Sequence, residues 1–250
     1  MRSLTIATAL VSLVSFGAAR AADMPVKAPP PPPTPPMTWT GCYLDAGAGY
    51  GFFNLDHAGA SPITTPNANT AGEGWLGRFG GGCDVQLGST GWSNIVIGAF
   101  GDFDLADLHG QFLGTILPVN GTARESSAWA AGARAGYLVT PGLLTFVDGG
   151  FTEAQFDAMP LSFFGIPTGS QFLGHTYQGW FVGGGTEWAL NWVGIPGLFW
   201  RTEYRYASYD RATLLGQFIG GPPNGFNETM RPTVQTVTSS LVWRFNWFGH

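Results

Sequence analysis

The stretch Leu198-Phe199-Trp200-Arg201-Thr202-Glu203-Tyr204-Arg205-Tyr206 keeps all of its charges on one parity. Successive side chains of a β-strand point to opposite faces. Leu198, Trp200, Thr202, Tyr204 and Tyr206 therefore share one face, and Arg201, Glu203 and Arg205 share the other. In a water-soluble sheet the aromatic face would turn inward and the charged face outward. Composition argues for the reverse. Charged residues make up 11% of the chain, and Lys27 is the sole lysine. A soluble surface needs roughly a quarter or more of such residues. After the first twenty-odd residues no apolar run is long enough for a transmembrane helix. An apolar exterior without membrane helices implies a closed barrel, because only helices and barrels satisfy every backbone group in lipid.

Outward from that stretch, eight segments of alternating character can be marked: 40–53, 74–87, 94–107, 126–139, 143–156, 176–190, 198–210 and 233–247. Their connections alternate in length. Segments 88–91, 140–142 and 191–197 are short, whereas 54–73, 108–125, 157–175 and 211–232 are long and rich in Gly, Pro, Asn and Thr. Short periplasmic turns and longer outer loops are the signature of an outer-membrane barrel. With the N-terminus inside, all four long loops fall on one side. The expected fold is all-β: an eight-stranded antiparallel transmembrane up-and-down barrel.

The expected lipid face carries Ile95, Ile97, Ala99, Phe103, Leu105, Val182, Val237 and Leu241, with an aromatic girdle of Trp75, Trp180, Trp188, Trp200, Tyr204, Tyr206, Trp243 and Phe245. The expected lumen face carries Asp45, Arg78, Asp84, Asp102, Asp104, Arg134, Asp148, Glu187, Arg201, Glu203, Arg205 and Arg244. An arginine facing mid-bilayer lipid costs about 2–4 kcal/mol, which is reason for this sorting. Inside, acids must pair with arginines, since an unpaired buried charge is worse still. Glycines such as those at 80–82 and 183–185 leave room for arginine and aromatic side chains in a narrow barrel. No helix follows 183–185, which excludes a dinucleotide loop.

The domain boundaries expected are a signal peptide at 1–21, a Pro-rich periplasmic linker at 22–38 and the barrel at 39–250. Arg2, the apolar run 4–16 and Ala19-Arg20-Ala21 have the charged, apolar and small-x-small order of a secretory signal. Pro29 to Pro33 favour an extended, solvated arm. Without Arg2 and Arg20, nine of the eleven basic residues face sixteen acidic ones, a net charge of −7. No basic patch exists, so nucleic acid is not an expected partner.

Alternation limits the first hairpin's register to steps of two residues, and a Tyr50–Trp75 pairing is one of those it allows. Pairing Tyr50 with Trp75 pairs Ala46 with Phe79 and Cys42 with Cys83, on the lipid side near the short-turn end. Directly opposed cysteines are within disulfide reach, and the periplasm is oxidising. A Cys42–Cys83 bridge is expected; two free thiols are the alternative. His57, His109 and His175 lie in the first three long loops, with Asp56 and Asp107 beside the first two. They are read as solvated, since no metal-ligand spacing appears; convergence on the outer rim as a metal site or acid–base pair is the alternative. No cofactor, metal site or catalytic residue is expected. Asn120-Gly121-Thr122 and Asn227-Glu228-Thr229 are read as loop sequence, not glycosylation sites.

Several segments together resemble the small outer-membrane β-barrel family of alphaproteobacteria, the porin-family or outer-membrane immunogenic proteins. They are residues 22–29 (ADMPVKAP), 39–43 (WTGCY), 98–104 (GAFGDFD), 132–137 (GARAGY), 179–188 (GWFVGGGTEW) and 203–206 (EYRY). The resemblance spans nearly the whole chain after residue 21. It implies an eight-stranded outer-membrane barrel with structural, surface-antigen or porin-like roles, and it supplies no catalytic residues. The chain departs from the family at its end, continuing past Phe245 through Asn246-Trp247-Phe248-Gly249-His250.

The expected function is structural: a surface-exposed barrel that contributes to envelope integrity, its lumen filled by an Asp/Glu–Arg network. Eight strands enclose only enough space for side chains. The alternatives are a small porin for hydrophilic solutes and an outer-membrane enzyme acting on lipid or peptide. The expected partners are outer-membrane lipids and lipopolysaccharide, the barrel-assembly machinery during insertion, and peptidoglycan through the Pro-rich arm.

Overall fold

The computed structural model describes residues 39–88 and 93–245. The expected signal peptide and linker, the tip of the 88–91 turn, and the tail after Phe245, Trp247 included, lie outside the described residues. Eleven strands appear among those described: β1 (Gly41–Ser61), β2 (Ala68–Gln86), β3 (Ile95–Leu113), β4 (Val119–Thr140), β5 (Leu143–Phe156), β6 (Met159–Phe163), β7 (Ile166–Phe172), β8 (His175–Ala189), β9 (Leu198–Tyr209), β10 (Ala212–Phe218) and β11 (Pro223–Phe245).

These strands form two stacked closed rings. At the end of the short turns, the order is β1-β2-β3-β4-β5-β8-β9-β11, and β11 pairs back onto β1. At the opposite, hairpin end, β6, β7 and β10 replace β5, β8 and β9, and the β4–β6 and β10–β11 pairings close the circle. All neighbours are antiparallel. β1, β2, β3 and β11 run through both rings. On the other side three staves break between the rings, at residues 157–158, 173–174 and 210–211, and β4 shifts register between Glu125 and Ser127.

The long segments 54–73, 108–125, 157–175 and 211–232, expected as loops, are thus mostly ladder. The reason is physical. Beyond the lipid the outer face must be polar, so Asn54, Asp56, Asn69, Glu73, Thr122 and Asn227 occupy outward positions, and Gly and Pro mark the hairpins. Strands of that composition read as loop when lipid-facing residues are what is sought.

The outward face divides at two aromatic belts. Trp75, Trp129 and Trp180 mark one; Trp188, Trp200 and Trp243 mark the other, all outward and exposed. In β8 the belts bracket nine residues, Trp180 to Trp188, the length of a tilted strand crossing a bilayer. Past the first belt most outward residues are polar and several pair across strands, although Leu113, Phe163 and Leu215 are also exposed there. Asn69 Nδ2 donates to Asp56 Oδ1 at 2.8 Å, and Arg124 bridges Asp107 at 2.8 Å and Asp157 at 3.1 Å.

The interior switches in the opposite sense. Between the belts it is ionic. Beyond them, toward the hairpins, it is mainly apolar: Phe53, Leu55, Leu108, Phe112, Phe156, Phe172 and Met230 pack as one cluster. The barrel is therefore inverted where lipid surrounds it and conventional where water does.

Candidate functional site

The lumen between the belts is built from alternate residues of every stave. Its base is a cap of Trp39, Val96, Leu144, Phe199 and Val242. Trp39 Nε1 donates to the Pro141 carbonyl at 3.1 Å, and its ring packs on Phe199 with centroids 4.9 Å apart.

Above the cap lies the first ion cluster. Glu187, fully buried on β8, accepts from Arg201 at 2.9 Å, Arg244 at 2.7 Å and Arg134 at 3.3 Å. Asp84 on β2 takes Arg134 through both of its oxygens and Arg244 Nη1 at 2.7 Å. Arg201 also reaches Asp45 at 3.4 Å. The Tyr43 ring lies in the middle, with the Arg134 and Arg201 guanidiniums each 4.6 Å from its centre. Three arginines thus face three acids across six strands. Planar guanidiniums suit this work because they bind carboxylates bidentately and stack on aromatic faces.

The second cluster sits nearer the hairpins. Arg78 holds Asp104 with two bonds of 2.7 Å and Glu203 at 3.0 Å. Arg205 holds Asp102 with bonds of 2.9 and 2.8 Å and lies 4.3 Å from the Phe181 ring centre. Its Nε also donates to Glu203 at 3.1 Å.

Glycine makes room for this layer at specific points. A Cβ on Gly98 would meet Asp84 Oδ1 at 2.0 Å, and one on Gly82 would meet the Tyr43 hydroxyl at 2.6 Å.

Eleven of the twelve lumen residues named from the sequence are drawn into these two clusters. Asp148 is the exception: it is buried on the lumen face, yet neither carboxylate oxygen has a hydrogen-bond partner among the described residues. Charge fills the stretch between the belts, and apolar side chains fill the rest. The girdle residues Trp75, Trp180, Trp188, Trp200, Tyr204 and Trp243 point outward and are exposed; Tyr206 and Phe245 are half-buried.

Cys42 and Cys83 are paired in register and joined by a disulfide. The histidines do not behave alike. His57, expected to be solvated, is 2% exposed and inward on β1. Its Nδ1 lies 3.1 Å from Glu228 Oε2, and its Nε2 lies 3.1 Å from the Thr70 hydroxyl. Glu228 also accepts from the Thr115 amide at 2.9 Å and its hydroxyl at 3.2 Å. The signal for this was present, since Phe53, Leu55 and His57 continue the inward alternation of β1. His109 stays at the surface beside Asp107 at 3.4 Å, and His175 packs edge-to-face against Tyr177. The three do not converge, and no metal-holding group of His, Cys, Asp and Glu occurs among the described residues.

Glu125, on β4 beyond the Trp129 belt, was missed from sequence because it lies in a segment read as loop. It is buried, and its Oε2 has no partner among the described residues. Burial, with the negative charge of Asp104 nearby, pushes its carboxyl up to about 8. A cavity of about 20 Å³ adjoins it, shared with Arg78, Asp104, Tyr209 and Thr236.

No family model matches the chain, and no curated protein does. Solved structures are similar at low identity. The outer membrane protein OprG from Pseudomonas aeruginosa is 6% identical with a TM-score of 0.47, covering 82% of this chain and 98% of that one. Ail, the attachment invasion locus protein of Yersinia pestis, is 11% identical with a TM-score of 0.37, covering 82% and 99%. The outer membrane protease OmpT from Escherichia coli is 12% identical with a TM-score of 0.41, covering 82% and 97%. Likeness at this level carries no chemistry from those proteins to this one. The chain's own geometry decides its class: an eight-stave ring, lipid-facing for the length of one bilayer and ionic within, is a transmembrane barrel of the outer-membrane kind.

Proposed function

We propose that this chain is a structural, surface-exposed barrel of the outer membrane, closed to solutes and contributing to envelope integrity. The observation that carries this reading is the stacked packing of the lumen. An aromatic cap, two ion clusters and an apolar layer follow one another along the axis. The cavity beside Arg78 and Glu125 measures about 20 Å³, room for about one water. A conduit for hydrophilic solutes needs a continuous wet path, and the Phe53, Phe112 and Phe156 layer interrupts it. The partners that accompany this reading are membrane lipid and lipopolysaccharide at the belts, the assembly machinery during insertion, and peptidoglycan at the proline-rich arm.

Planar-bilayer recording of the refolded protein tests it. The expected record is flat, with at most brief openings of small amplitude. Large, stable, ohmic openings would replace this reading with that of a small porin.

A further inference from the structure

At the hairpin end, beyond the apolar layer, the second ring encloses a pocket of about 150 Å³. Its walls come from separate hairpins: Ile116 follows β3, Leu161 is on β6, Phe172 on β7 and Phe226 on β11. Exposure grades from floor to rim. Leu161 and Phe172 are 7% and 3% exposed, whereas Leu117 and Phe218 are 44% and 47%. The pocket therefore opens to solvent at the tips and ends blind on the core.

The polar group at its floor is already occupied. Glu228 is 2% exposed, and its two oxygens are engaged by Thr115 and His57. No free charge is left to draw in an ion, and the remaining wall is mostly apolar. Size narrows the guest further. Pockets that bury drug-sized ligands run to roughly 300–1,000 Å³. A volume of about 150 Å³ accommodates a single benzene-sized ring.

We propose that this pocket binds a neutral, compact, apolar molecule of one-ring size at the outer mouth of the barrel. The guest would gain by leaving water for walls fixed by the ladders of β4, β6, β7, β10 and β11. It would go no further inward, because the Phe53, Phe112 and Phe156 layer closes the lumen beneath it. Binding here is independent of whether the lumen conducts, so failure of one reading leaves the other standing.

The test is a fluorine NMR titration of fluorobenzene against the refolded barrel in lipid nanodiscs, with empty nanodiscs as the partition control. The expected result is a saturable shift above the control. Ser170→Trp, a small, half-buried wall residue replaced by one that fills the space, should weaken it at least tenfold while the barrel keeps its heat-modifiable migration on gels. Thr168→Trp fills the same pocket from an exposed position and should weaken binding likewise, so the outcome does not hang on one variant's assembly. A wild-type signal no greater than that of empty nanodiscs would overturn the proposal. So would binding that folded Ser170→Trp or Thr168→Trp leaves unchanged.

Discussion

Single atoms decide whether the charged lumen can exist, and glycine shows it best. A methyl on Gly98 would lie 2.0 Å from Asp84 Oδ1, while one on Gly77 would meet nothing within 4 Å. Gly98→Ala must push Asp84 away from Arg134 and Arg244, and strain of that kind in a filled interior costs about 1–3 kcal/mol. Gly77→Ala should be neutral or slightly stabilising, because it only restricts the unfolded chain. Urea-unfolding midpoints in lipid vesicles should therefore fall for the first and hold or rise for the second; equal shifts would count against the packing described. Glu125 gives a second prediction at this scale. Its folded pKa of about 8 lies above the ordinary carboxylate value of 4.5. The folded state then holds its proton more tightly than the unfolded one, so stability declines as pH rises from about 4.5 through about 8 and levels off above. Glu125→Gln, which cannot ionise, should match the wild type near pH 4.5 and exceed it progressively up to pH 9. A constant difference across that range would show that Glu125 does not titrate between the two states.

At the scale of elements, the hairpin β1–β2 carries its own fastening. The disulfide joins residues 41 apart in sequence at the turn end of the ladder. Closing a loop of that length in the unfolded chain is worth about 3–4 kcal/mol in the chain-entropy model. Cys42→Ser should lower the unfolding midpoint accordingly, and a reducing agent should reproduce the loss in the wild type while leaving the variant unaffected. The pairing was legible because one cross-strand pair fixes the rest of a regular hairpin: Tyr50 opposite Trp75 carries Cys42 opposite Cys83. The ion clusters were legible for the same reason, since Arg201, Glu203 and Arg205 fall on one parity of β9. What was not legible was any segment where parity changes meaning. In β4 outward residues are odd from Trp129 to Val139 but even from Thr122 to Arg124, because the register shifts between Glu125 and Ser127. Across the break from β5 to β6, Phe156 and Met159 are both buried. A reading that looks for lipid-facing alternation stops at such points and names the remainder loop. His57, Glu125 and Glu228 were lost with it, although each lies on a regular strand.

For the molecule as a whole, one cylinder passes through two solvents, and its two faces exchange character where the solvent changes. This makes position along a single strand, rather than residue type, the determinant of what a charge costs. Ala133 and Thr122 both point outward from β4 and are exposed. Ala133 lies between the belts, flanked by Ala99 and Gly149 on the neighbouring staves. Thr122 lies in the hairpin-end ring beside Gln111. Arginine at the first site must be accommodated in hydrocarbon, at about 2–4 kcal/mol near the midplane; at the second it meets water and costs about 0–1 kcal/mol. Ala133→Arg should therefore lower the unfolding free energy in vesicles by several times more than Thr122→Arg. In a small detergent micelle, which deforms around a charge more readily than a bilayer, the gap should narrow. Were Thr122→Arg as damaging as Ala133→Arg in vesicles, lipid would have to reach the second ring, and the polar outer face of Asp56, Glu73, Asp107 and Arg124 would be left without a reason.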